Sequence, residues 1–136
     1  MKKTNTQSIL LALVIAAFVI IISMLLTKGV NVEVLADSVK IEGLYGIEIP
    51  YSEIEEVKML DSMPLWGLKT NGINLGFMNI GMFTYKELGS VRLFEIKKEK
   101  PYVMIVGKKG KIVLGLGREK NAEVYKAIEA SFQTAH

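Results

Sequence analysis

Polar and apolar positions divide the chain into three stretches with different periods. The first, "ILLALVIAAFVIIISMLL" at residues 9–26, has Ser23 as its only polar side chain. Coiled as a helix it extends roughly 27 Å, close to the hydrocarbon thickness of a bilayer. A helix satisfies its own backbone hydrogen bonds in lipid, so this run predicts one transmembrane span. A buried core helix is disfavoured, because five turns without a polar stripe leave no face for water. A cleaved signal peptide is the other alternative. Its apolar region is normally shorter, and the nearest small-residue pattern, Val34-Leu35-Ala36, lies well past the run.

After Lys28-Gly29 the period falls to two. In "VNVEVLA" (30–36), Val30, Val32, Val34 and Ala36 share a face. "VKIEGLYGIEIP" (39–50) alternates in the same way, bent or turned at the glycines, and Pro50 ends it. Tyr51-Ser52-Glu53 then reads as a short turn, with Ile54 as its apolar anchor and "IEEVKML" resuming an extended run. A helix over 52–60, capped by Ser52, is the competing expectation. Residues 61–90 predict short strands near 66–69 and 77–84, separated by Pro64, Asn71-Gly72 and other glycines. "SVRLFEIK" (90–97), "PYVMIV" (101–106) and "KIVLGLG" (111–117) predict a three-stranded meander with hairpin-length connections.

The third stretch, "REKNAEVYKAIEASFQ" (118–133), changes to a helical period. Val124, Ile128 and Phe132, flanked by Tyr125 and Ala127, form its apolar stripe. Packing against a sheet is the expected use of that stripe. The whole predicts a mainly β domain at residues 29–136. About seven antiparallel strands form a bent, half-closed sheet capped by a C-terminal helix, and residues 1–28 form a basic N-terminus and span.

The resemblance rests on "IEGLYGIEIPYSEI" (41–54), "LKTNG" (68–72), Gly81-Met82-Phe83 and "SVRLFEIKKEKPYVMI" (90–105), followed by a terminal helix. In this order they resemble the bacterial pleckstrin-homology-like domains, over about residues 30–132. The resemblance implies a seven-strand roll and a binding module. Many eukaryotic relatives bind phosphoinositides through basic residues of the first hairpin loop. Here that turn is Leu35-Ala36-Asp37-Ser38, short and acidic, which argues against phosphoinositide binding. Those relatives also tend to carry a Trp in the terminal helix, where Tyr125 and Phe132 stand in this chain.

Charge narrows the partners. Of 17 basic residues, Lys2 and Lys3 precede the span, and residues 28–136 hold 15 basic against 14 acidic. The domain is nearly neutral, against nucleic-acid binding, which needs a basic face. The basic residues before the span place the N-terminus in the cytoplasm and the domain on the extracytoplasmic side, by a margin of one or two charges.

Chemistry finds few candidates. There is no Cys, and the only His is the last residue, His136. No nucleophile–base pair, zinc set or cofactor motif is expected, and a hydrolase is disfavoured. Glu53, Glu55, Glu56 and Asp61 read as a solvated edge rather than a metal or acid–base set. The candidate protein-binding residues are Trp66, Lys69, Thr70, Asn71 and Phe83, on a glycine-rich segment that admits a partner backbone. The candidate lipid contacts are Lys108, Lys109 and Lys111. The other lysine cluster, Lys97, Lys98 and Lys100, is expected at the opposite end of the strands, roughly 16 Å away. Two functions follow as expectations: a membrane-anchored module for contacts with a protein partner, or a sensor of anionic lipid headgroups.

Overall fold

The first apolar run forms helix α1 (Lys2–Thr27) in a computed structural model that describes residues 2–27, 29–64 and 67–135. Trp66 and His136 lie outside the described residues. From Asn5 to Met24 every side chain of α1 is exposed, and the helix is long and apolar enough to cross a membrane.

Nine strands follow among the described residues. They are β1 (Asn31–Val34), β2 (Ser38–Glu42), β3 (Ile47–Pro50), β4 (Ile54–Leu60), β5 (Gly67–Asn74), β6 (Asn79–Tyr85), β7 (Gly89–Lys97), β8 (Tyr102–Gly107) and β9 (Gly110–Leu116). Helix α2 (Arg118–Ala135) closes the chain. The strands form two sheets, β1-β2-β3 and β4-β8-β9-β7-β6-β5. The expected count of about seven rises because residues 39–50 turn at the glycines, as one of the two expected arrangements has it, into two antiparallel strands. Residues 43–46 turn between them, closed by Gly46 N–H donating to Gly43 O at 3.0 Å.

Tyr51-Ser52-Glu53 is a single 3-10 turn, and it is the corner at which the chain leaves the small sheet for the large one. Tyr51 is buried, its N–H donates to Asp37 O at 3.0 Å, and its hydroxyl donates to Leu35 O at 2.7 Å. Ile54 is 3% exposed in the core beyond it. The competing helix over 52–60 is not formed, since β4 pairs with β8 instead.

The expected meander of the last three strands is corrected. β8 does not pair with β7. Instead β9 returns into the gap between them, antiparallel to β8 and parallel to β7. Residues 98–101 must therefore cross two strand spacings, about 9.6 Å, and four residues reach about 13 Å. The crossing is fastened by Asn121, which is fully buried at the start of α2. Its amide donates to Pro101 O at 2.8 Å and to Glu99 O at 3.4 Å, and its Oδ1 accepts from Leu116 N–H at 2.8 Å. Arg118 Nε adds a bond to Lys100 O at 3.0 Å.

The main core lies between the sheets. It joins Val39, Ile41 and Ile49 to Phe94, Val103, Ile105, Ile112 and Leu114. From α2 it takes Val124 and Ile128, with Tyr125 and Phe132 packed alongside, as the helical stripe predicts; Ala127, however, is exposed. A second core covers the opposite face of the large sheet, with Phe83, Tyr85, Val91, Leu93, Tyr102, Met104 and Val113. β7, β8 and β9 are thus buried on both faces.

Candidate binding surfaces

The β5–β6 hairpin is the first surface. β5 is an edge strand of the large sheet, and residues 67–71 along it are exposed. At the tip, Leu75 N–H donates to Met78 O at 2.9 Å and Gly76 N–H to Asn74 Oδ1 at 3.1 Å. Met78 is buried and pegs the tip, while Leu75 and Phe77, on either side of Gly76, project outward. Outside α1, the exposed large apolar side chains among the described residues are Leu35 (40%), Leu68 (71%), Leu75 (46%) and Phe77 (70%). Three of these four belong to this one hairpin.

Of the residues expected here, Lys69, Thr70 and Asn71 share the exposed edge. Thr70 sits at a bulge and donates to Met82 O at 3.1 Å. Asn71 Oδ1 accepts from Tyr45 Oη at 2.8 Å, which ties the hairpin to the small sheet. Phe83 does not join them: it is 4% exposed and packs in the second core. Leu68, Leu75 and Phe77 are the residues that sequence reasoning passed over. The signal was present in "NLGFMN", where apolar residues flank a turn glycine that polar residues normally surround.

The second surface is a cleft of about 380 Å³ between β3 and the β8–β9 hairpin. Lys108, Lys109 and Lys111 line it together with Arg92, which was not expected there. Arg92 Nη1 donates to Tyr45 O at 2.8 Å and Lys111 Nζ to Leu88 O at 2.9 Å. Lys109 is paired with Glu53 at 3.3 Å. Glu48 accepts from Ser38 Oγ at 2.8 Å. The walls and floor are Ile47, Ile49, Met82, Ile105 and Ile112. The other lysine cluster lies at the opposite end: in the parallel register Lys111 stands beside Val91 and Lys97 beside Leu116. There a cleft of mixed charge gathers Lys97, Arg118 and Lys120 with Glu99, Glu119 and Glu123.

A buried polar set lies in the large sheet. Glu95 accepts from Tyr102 Oη and from Asn79 Nδ2, both at 2.6 Å. Burial, then the bond to Glu95, pushes the Tyr102 phenol well above its ordinary range, and burial likewise raises Tyr85. The set does not line the cleft, only its Asn79 end is partly exposed, and its work is structural. Among the described residues no three His, Cys, Asp or Glu side chains gather as a metal set. Glu55, Glu56 and Asp61 are exposed, and Glu53 is engaged by Lys109.

No curated protein and no solved structure matches the chain. Residues 30–115, from the start of β1 nearly to the end of β9, match the family model of the Bacterial PH domain. Two strand layers and the corner turn between them accord with that match, and the chain belongs to the bacterial PH domain family, whose members are generally non-catalytic modules that mediate protein or lipid interactions.

Proposed function

We propose that the protein is a membrane-anchored, non-catalytic binding and scaffolding module that presents its β5–β6 hairpin to a protein partner. α1 stays in the bilayer through residues 9–26, and residues 29–136 form the folding unit that hangs from it. The basic N-terminus faces the cytoplasm and the domain the extracytoplasmic side, following the lysine bias before the span. The observation that carries this reading is the pair of exposed apolar side chains at the hairpin tip, Leu75 and Phe77 at 46% and 70%, with Leu68 (71%) exposed further along the same edge strand. Apolar side chains clustered on a surface mark a contact site more often than scattered ones do. Lys69, Thr70 and Asn71 supply a polar rim beside them, and tethering raises the effective concentration for a partner in the same membrane.

The test is site-specific photocrosslinking in intact membranes, with a benzophenone side chain at Phe77 and, as control, at Lys126 on α2. A discrete protein adduct from position 77, absent from position 126 and abolished by Leu68→Ser with Leu75→Ser, is expected. Equal adducts from both positions, or none from position 77, would refute it.

A further inference from the structure

The cleft between β3 and the β8–β9 hairpin has a composition that the partner-docking reading does not use. Its floor is drawn from the main core: Ile49, Ile105 and Ile112 are each at most 6% exposed, yet they line it. Four cations stand around this apolar floor against two carboxylates, Glu48 and Glu53. Arg92 and Lys111 are held by the neutral carbonyls of Tyr45 and Leu88, so position is fixed while charge is not neutralised. Tyr45 itself adopts a left-handed backbone (φ 61), held at its carbonyl by Arg92 and at its hydroxyl by Asn71. A cleft of about 380 Å³ falls within the size range of small-ligand sites, which are mostly apolar with a few placed polar groups.

We propose that this cleft binds an anion carried on an unbranched alkyl chain. The chain lies between the sheets against Ile47, Ile49, Ile105 and Ile112. The head sits at the rim beside Arg92 and Lys111, with Lys108 and Lys109 completing the positive mouth. A neutral alkyl ligand would leave the cations unused. A bare anion would leave the half-buried Ile47 and Met82 of the wall in contact with water, so neither half of the cleft alone accounts for the other. This goes beyond the hairpin reading and stands on a separate surface.

The experiment uses the full chain in phosphatidylcholine nanodiscs, with ¹³C-methyl methionine. Met82 lines the cleft; Met59, Met63, Met78 and Met104 do not, and they serve as internal references. The probes are butyl phosphate, hexyl phosphate, hexanoate, inorganic phosphate and hexanol. Hexyl phosphate and hexanoate should shift the Met82 methyl saturably, and the step from butyl to hexyl phosphate should tighten binding about tenfold. Lys108→Gln with Lys109→Gln, both exposed, should weaken hexyl phosphate several-fold, and Arg92→Gln more strongly, with the reference methyls unmoved. Inorganic phosphate shifting Met82 as strongly as hexyl phosphate would reassign the cleft to a free anion and overturn the proposal. So would hexanol matching hexanoate, no chain-length dependence, or no shift of Met82 at all.

Discussion

Asn121 shows how one polar residue can decide a strand order. It is fully buried, yet each of its amide atoms is occupied by the end of β9 or by the crossing between β7 and β8. Asn121→Ala would strand the Leu116 N–H and the Pro101 carbonyl, and the expected loss is about 2–4 kcal/mol in urea unfolding of the full chain in nanodiscs. A loss below about 0.5 kcal/mol would deny the clamp. A second residue-scale prediction concerns alkaline pH. The folded-state phenol of Tyr102 titrates above its unfolded value of about 10, because burial and Glu95 favour its neutral form. The unfolded chain therefore releases its proton first. The contribution is intact below about pH 10 and is lost as pH rises beyond it. The urea midpoint should fall between about pH 9 and pH 11, and the fall should be smaller in Tyr102→Phe; an unchanged slope in that variant would contradict the assignment. The corner at residues 51–53 and its anchor Ile54 were legible in the sequence, since a polar tripeptide between two alternating runs has an apolar root to plant; the burial of Tyr51 was not. Phe83 was not. With both faces of the large sheet buried, alternation no longer separates inside from outside.

Among the elements, α1 and α2 were the most legible, α1 as an unbroken apolar run and α2 as a stripe at helical spacing. The stripe at Val124, Ile128 and Phe132 packs as read, and Asn121, one turn earlier on the same face, extends it with a polar end. The β7–β8–β9 order was not legible. A four-residue connection suits a hairpin as well as a crossing over one intervening strand, and the choice lies with contacts from α2 far along the chain. The facing of α1 yields a prediction at this scale. Because the chain has no native Cys, a single Cys replacing Lys126 is the only thiol that an impermeant reagent can find. In intact cells it should be labelled; labelling only after the membrane is breached would place the domain in the cytoplasm and reverse the charge-bias argument.

At the scale of the whole molecule, two sheets meet over one core, a second core backs the larger sheet, and two unlike surfaces remain. The strand-rich, helix-capped class and the family were visible in the sequence, because the period changes and the corner motif are local. The cleft was not, because it unites Ile47 and Ile49 of β3 with Arg92 of β7 and the lysines before and in β9, residues brought together only by the layering of the sheets. The lysines were visible as a cluster, but the apolar floor beside them was not. The proposed role requires α1 to remain attached and embedded. Alkaline carbonate extraction of membranes carrying the full chain tests this most directly, with the mass of the recovered polypeptide read alongside. The intact chain should stay with the membrane pellet. Its release into the soluble fraction, or recovery of a domain that has lost residues 1–28, would contradict the account.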